Sequence, residues 1–187
     1  MAKIEIDSDR VLYPMPCSLV GANVGGKPNY LTVAWFTMVN PEPAYLAAAM
    51  NKVHYTNSGI KENGTFSINI PSSAMAEVTD YCGLVSGRKF DKAARFNTFY
   101  GKLKTAPMIS ECPLNVELKL IKTVELPAEE LFIGEIETVY CDERYVEDGV
   151  PQLKKIMPFV LIMSEKKYVG LGDEIGPAWG LGKKLMK

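Results

Sequence analysis

Histidine is nearly missing from this 187-residue chain, in which His54 is the only one. That excludes a metal centre built on several imidazoles. Any Ser-His-Asp triad would rest on that one ring, without a G-x-S-x-G turn to present its serine. Cysteine is sparse as well. Cys17, Cys82, Cys112 and Cys141 lie about thirty residues or more apart, giving no C-x-x-C, no zinc spacing and no dense secreted-type disulfide framework. Reduced, separately buried thiols are expected. Cys82, beside Tyr81 in a predicted helix, reads first as a core residue and otherwise as a neighbour of a ligand.

An excess of either charge is missing too. Lys plus Arg number 21 and Asp plus Glu 22, for a net charge of −1. A field that weak does not hold a phosphate backbone, so nucleic acid is not an expected partner. There is no long hydrophobic run. The most apolar stretch, Met157 to Met163, has seven residues broken by Pro158, against the ~20 needed to cross a bilayer. Met1 to Asp7 alternates charge with aliphatics and lacks the apolar core of a secretory signal. The expectation is a soluble, cytoplasmic protein with no membrane partner.

Nucleotide signatures fail in turn. In Gly170-Leu171-Gly172-Asp173-Glu174-Ile175-Gly176 the third glycine of a dinucleotide fingerprint comes one residue late, and too little chain follows to complete a βαβ unit. Gly182-Lys183 is followed by Lys184, where a Walker motif requires Ser or Thr. Asn63-Gly64-Thr65 matches a glycosylation sequon, but Gly64 reads better as a helix C-cap.

What is present is an ordinary globular composition, 47% hydrophobic and 23% charged. It suits one domain over residues 1–175 followed by a tail over 176–187, large enough to build a core without disulfides or metal. Strands over 17–24 and 30–39 flank a glycine-proline turn. Asn40-Pro41-Glu42-Pro43 then breaks the chain before a third strand over 44–50, which predicts a three-strand meander. A helix over 56–63 ends at Gly64, and a strand follows over 66–70. A second helix opens at Pro71-Ser72-Ser73 with Ala74, Val78, Tyr81 and Val85 as its apolar stripe. Strands over 115–126 and 131–141 pair around 127–130, and a buried strand covers 159–163. About seven strands with two short flanking helices predict a mainly β fold, a closed antiparallel barrel that leaves no bare edge; an open sandwich is the alternative.

Three segments gather polar groups suited to an anion. These are Asn29-Tyr30-Leu31-Thr32-Val33-Ala34-Trp35, Asn51-Lys52-Val53-His54-Tyr55-Thr56 and Ser86-Gly87-Arg88-Lys89-Phe90-Asp91-Lys92. Thr56 as N-cap, with Lys52 and His54 just upstream, makes a phosphate seat at a helix N-terminus. A capped helix with solvated lysines is the plainer reading of the same residues. Trp35 reads by default as a core tryptophan and otherwise as a flat neighbour for a planar ligand.

Taken in order, Asn29-x-x-Thr32-x-Ala34-Trp35, Asn51-Lys52-x-His54-x-Thr56 and Gly83-x-x-Ser86-Gly87-x-Lys89-x-Asp91-Lys92 resemble the flavin reductase-like, FMN-binding split-barrel family. The resemblance spans roughly residues 10–175. It implies a Greek-key split β-barrel, a homodimer, and FMN held non-covalently near the subunit interface. By position, Asn29, Thr32, Ala34 and Trp35 would edge the flavin ring. Asn51, Lys52, His54 and Thr56 would hold the phosphate and ribityl chain. Ser86, Gly87, Lys89 and Lys92 would close from the other side, with Lys92 the positive group beside the ring. Ala93-Ala94 stands where the family pattern has an aromatic, and Lys52 where arginine is frequent. The implied activity is a flavoprotein oxidoreductase taking electrons from NAD(P)H or a redox protein, with the flavin rather than a side chain carrying the chemistry. The alternative is a dimeric binding or scaffold module on the same fold.

Overall fold

The computed structural model describes residues 1–8 and 13–186. Its main sheet has seven strands: β1 Ser18–Val24, β2 Lys27–Val33, β3 Phe36–Pro41, β4 Ala44–Asn51, β5 Thr65–Ile70, β6 Leu114–Glu125 and β7 Glu129–Cys141. Helix α1, Tyr55–Asn63, joins β4 to β5, and α2, Ala76–Leu84, follows β5. A smaller antiparallel unit pairs β8, Phe159–Ile162, with β9, Lys167–Gly170, and with Met15–Pro16.

Across the main sheet the order is β2-β1-β5-β6-β7-β4-β3, every neighbour antiparallel. The predicted meander is therefore not formed. The single strand expected over 30–39 is two strands, β2 and β3, which lie at opposite edges. Strands pack about 4.8 Å apart, so a flat sheet of this order would hold its edges nearly 30 Å apart. Only Ala34 and Trp35 join those edges, a span of at most about 11 Å from Val33 to Phe36. The sheet must roll into a barrel whose seam runs between β2 and β3. Trp35 stays on the β3 side, where its carbonyl accepts a 2.9 Å hydrogen bond from Ala49 N–H.

Alternating residues fill the barrel. Val20, Ala22, Leu31, Val33, Leu46, Ala48, Met50, Phe66, Ile68, Val116, Leu118 and Phe132 form one buried cluster. Gly134 has a packing reason, because a Cβ there would stand 2.7 Å from the Phe66 ring. The turn between β1 and β2 is Gly25-Gly26, both with positive φ, the conformation a two-residue hairpin needs. The expected cap at Gly64 is present, with φ 65° and its N–H on the Ile60 carbonyl at 2.9 Å.

The second helix differs from its expected pattern by one position. It buries Thr79 and Cys82, while Ala74 is exposed and Val78, Tyr81 and Val85 are half-buried. A short 3-10 turn over Ser73–Met75 rotates the helix relative to a stripe counted from Ser73. Its face packs outside the barrel against Leu19, Tyr30, Ile109 and Cys112.

The irregular segment from Ala93 to Cys112 is tied to the barrel by Glu117. That fully buried carboxylate accepts Lys102 N–H at 3.0 Å, Leu103 N–H at 2.8 Å and the Tyr140 hydroxyl at 2.9 Å. Hydrogen bonds to a charged group contribute about 1.5 to 3 kcal/mol, and a buried donor left without its partner is costly. Glu117→Ala is expected to lower stability by about 3 kcal/mol or more, read as a fall in the urea midpoint with the m-value unchanged.

Candidate functional site

On the outer side of the β1–β2 hairpin, three segments meet: the lead-in to α1, the end of α2 and the loop that follows it. Two cavities open there. The first, about 360 Å³, is walled by Lys27, Asn29, Arg88, Lys89 and Phe90. The second, about 310 Å³, is walled by Leu31, Val53, His54, Thr56, Leu84, Val85 and Ser86. Tyr55, Gly87 and Lys92 line both and form the neck between them. One cavity is rimmed by cations and the other largely by apolar side chains.

Gly87 makes the neck possible. A Cβ at that position would stand 2.0 Å from Asn29 Oδ1, a separation that real Cβ atoms do not show, and a tight 3.0 Å from the Tyr55 ring. Ser86 shapes the turn around it, its carbonyl accepting Lys89 and Phe90 N–H and its hydroxyl accepting Arg88 N–H at 3.3 Å. Arg88 crosses back over the lead-in to α1. Its Nη1 donates to the Val53 carbonyl at 3.1 Å and its guanidinium lies 5.0 Å from the centre of the Tyr55 ring.

Lys92 is only 2% exposed. Its Nζ donates to the Cys82 carbonyl at 2.9 Å and the Val85 carbonyl at 3.3 Å, at the C-terminal end of α2. Those carbonyls lack helical partners, and a cation is favourable there. Two of the three ammonium donors are thereby used. Burial lowers the Lys92 pKa, with the nearby Cys82 acting slightly the other way. Burial also pushes the Cys82 thiol up to about 11, against the opposing pull of Lys92. Cys82 is a neutral core thiol, as its plainer reading held.

The predicted residues divide. Asn29, His54, Thr56, Ser86, Gly87, Lys89 and Lys92 come together at the two cavities. Thr56 is not the N-cap; His54 holds that place, and Thr56 is the second helical residue, its buried Oγ1 accepting Asn29 Nδ2 at 2.7 Å. The turn at Asn51 shifts the start of the helix, because the Asn51 carbonyl accepts His54 N–H at 3.0 Å. Asn51 and Lys52 lie outside both cavities. Asn51 Nδ2 donates to Glu129 Oε1 at 3.0 Å and Lys52 pairs with Glu125 at 2.9 Å, drawn to acids at the tip of the β6–β7 hairpin.

Thr32 also lies off the cavity walls, its hydroxyl donating to the Thr79 carbonyl on α2. Ala34 is half-buried at the seam. Trp35 is not a core residue; it is 44% exposed, with its indole N–H on Met15 Sδ at 3.0 Å. Lys27, Tyr55 and Arg88 line the cavities without having been singled out. Arg88 and Tyr55 stood inside quoted motifs and Lys27 in the glycine-proline turn between the first two expected strands, so charge and aromaticity were signals available for all three.

The match to known proteins follows this geometry. The family model described as the flavin reductase like domain covers residues 10–172. The chain belongs to that family. It is similar to the flavoredoxin of Methanosarcina acetivorans, at 48% identity and a TM-score of 0.97 over 100% of both chains. It is also similar to the flavoredoxin of Desulfovibrio vulgaris (Miyazaki F), at 33% identity and a TM-score of 0.91, covering 97% of this chain and 100% of that one. Against a relative from Aeropyrum pernix it is 28% identical over 183 residues, which is 96% of this chain and 66% of that protein's length. Among the described residues no helix is long and apolar enough to cross a membrane.

His54 gives the candidate site a pH signature. Burial, with Lys92 adding to it, lowers its pKa below the ordinary 6.5, while Glu129 opposes. The neutral ring is thus favoured in the folded protein. Stability is complete above pH 6.5 and falls as pH drops below it, because there the unfolded chain takes up the proton first. Unfolding free energy measured between pH 7 and 5 is expected to decline in the wild type, and His54→Asn to flatten that part of the curve.

Proposed function

We propose that this chain is a flavoprotein oxidoreductase that holds FMN non-covalently at the paired cavities and passes electrons from NAD(P)H or a redox protein. The observation that carries the reading is the neck: Tyr55, Gly87 and Lys92 join an apolar-walled space to a cationic one. FMN has that polarity, a flat ring with a tail of about two negative charges. Bound there, it supplies the redox chemistry, which no side chain of the site could supply.

The second cavity, floored by Leu31 and walled by Val53, Leu84 and Val85, takes the ring. Thr56, Ser86 and the remaining donor of Lys92 hold the tail at the neck, with the first N–H groups of α1 beside them and His54 kept neutral. Asn29 fixes the Thr56 hydroxyl oxygen and leaves its proton free to be donated. Lys89 approaches the tail from the first cavity. Thr32, Ala34 and Trp35 border the ring only if it extends along β2 to the seam. The exposed edge there, with Trp35 beside Met38 and Val39, suits the second copy of a homodimer.

Purified protein is expected to be yellow and to release FMN on denaturation. Lys92→Ala should weaken FMN binding by roughly tenfold or more, the equivalent of one charge-assisted hydrogen bond. Gly87→Ala should weaken it by closing the neck. Both are read by titrating flavin-free protein with FMN and following the flavin fluorescence. A colourless protein that ignores added FMN overturns the reading. Anaerobic NADH and NADPH separate its two forms: bleaching within seconds marks a reductase, and no bleaching marks a carrier fed by another protein.

A further inference from the structure

Helix α1 turns its first N–H groups to the cleft, yet its own residues do little to fix where it starts. It has nine residues, its N-cap His54 makes no side-chain capping bond, and its first turn carries no acid. A helix that short is marginal by itself, so contacts from elsewhere in the fold set its start. Two buried polar residues outside both cavities supply them. Asn57, 3% exposed, donates from Nδ2 to the Asn51 carbonyl at 3.1 Å and to Glu130 Oε2 at 2.9 Å. The same Asn51 carbonyl accepts His54 N–H, and the His54 carbonyl accepts Asn57 N–H at 3.3 Å. One side-chain amide thus ties the lead-in, the cap and the first turn to β7.

Glu130, 4% exposed, also pairs with Lys61 from the last turn of α1. Burial raises its pKa, and the hydrogen bonds from Lys61 and Asn57 outweigh burial and lower it. The carboxylate stays charged, and pairing with Lys61 limits its repulsion of an anion at the helix start. Among the described residues the buried Asn57 Oδ1 has no partner. Turning the amide over would set that oxygen against two acceptors, the Asn51 carbonyl and the Glu130 carboxylate. The group is held for its donors, and an unpaired acceptor is left behind.

Resting on the flavin reading above, we infer that Asn57 and Glu130 are positioning residues for the FMN phosphate, which hold the first turn of α1 so that Tyr55 N–H and Thr56 N–H meet the tail. They do this without touching it. Those two N–H groups have no helical partner because of their place in the first turn. Hydrogen bonds weaken steeply with distance and angle, so a displaced turn binds phosphate poorly. The lead-in is braced from the same hairpin, by Lys52 N–H on the Ala128 carbonyl at 3.0 Å beside the bond from Asn51 to Glu129. Leu31, Leu84 and Val85 in the apolar cavity belong to other elements, so the ring depends on this clamp far less than the tail does.

FMN is compared with riboflavin, which has the same ring and no phosphate, by titrating flavin-free wild type, Asn57→Ala, Glu130→Ala and the double variant and following flavin fluorescence. Each single variant is expected to bind FMN about tenfold or more weakly and riboflavin within about threefold of wild type. Because Glu130 acts through Asn57, the double variant is expected to lose no more FMN affinity than the weaker of the two single variants. Glu130→Gln, which keeps an oxygen acceptor for Asn57, is expected to hold FMN within about threefold of wild type. Asn57→Ala places a favourable residue in a helix and decides the matter where Glu130→Ala does not fold. A parallel loss of FMN and riboflavin marks a merely structural role and overturns the inference. No loss of either flavin, or losses that add in the double variant, overturns it as well. A wild type that binds FMN no more tightly than riboflavin has no phosphate seat at α1, which overturns it and leaves the ring site standing. A wild type that binds neither flavin removes the flavin reading and the inference with it.

Discussion

The two residues between Val33 and Phe36 constrain everything else in the molecule. Strands consecutive in sequence ordinarily pair; here Ala34 and Trp35 connect the two outermost strands of a seven-stranded sheet, so the sheet has to close on itself. Closure places one half of every strand's side chains in a single interior and turns the other half outward. The outward face of β1 and β2 is then free to receive α1 and α2. Gly59 lets α1 settle close to β1, since a Cβ there would stand 2.2 Å from the Asn23 carbonyl. The cleft lies where the start of α1 and the end of α2 come to the same hairpin.

Local physics in the sequence was enough for most elements, though not for the break at Ala34 and Trp35, and insufficient for their neighbours. Period-two alternation in 115–126 and 131–141 marks β6 and β7, and their pairing follows from a short connection. Gly64 was legible because a left-handed cap needs glycine. The partner of β2 was not legible. Pairing across a distance in sequence depends on which faces bury the most area after closure, and no local pattern encodes that. The helix α2 shows a subtler failure. A stripe counted from its first capped residue goes out of phase when a 3-10 turn intervenes, because three residues per turn advance the face differently from 3.6.

The residues that gather at the candidate cleft were legible where backbone chemistry demanded particular residue types. Gly87 and Ser86 belong to a tight turn and Thr56 to a helix start, and the structure brings all three to one cleft. Asn51 and Lys52 lie outside the two cavities, and their partners, Glu129 and Glu125, sit far away in sequence on the β6–β7 hairpin. A lysine near a helix start reads as an anion ligand, and the acid from elsewhere that meets it cannot be read from local sequence. Trp35 follows the same logic: a bulky aromatic in an apolar stretch predicts burial, but the seam has solvent on one side.

Lys92 reconciles two helix ends that would otherwise act against each other. The start of α1 offers N–H groups to the cleft, and the end of α2 offers carbonyl oxygens, so an anion between them would be attracted by one and repelled by the other. An ammonium on the Cys82 and Val85 carbonyls cancels the repelling end while keeping its own charge at the neck. Burial argues against that charge and the carbonyls argue for it. An anion in the cleft would complete its coordination and shift the balance further toward the protonated form. Arginine is a poor substitute, because its planar fork cannot point donors at two carbonyls of one helix end and at a third partner across the neck in the way a tetrahedral ammonium does. The charge buried at the neck therefore depends on a single side chain, and the neighbouring His54, held neutral, leaves its sign unaltered.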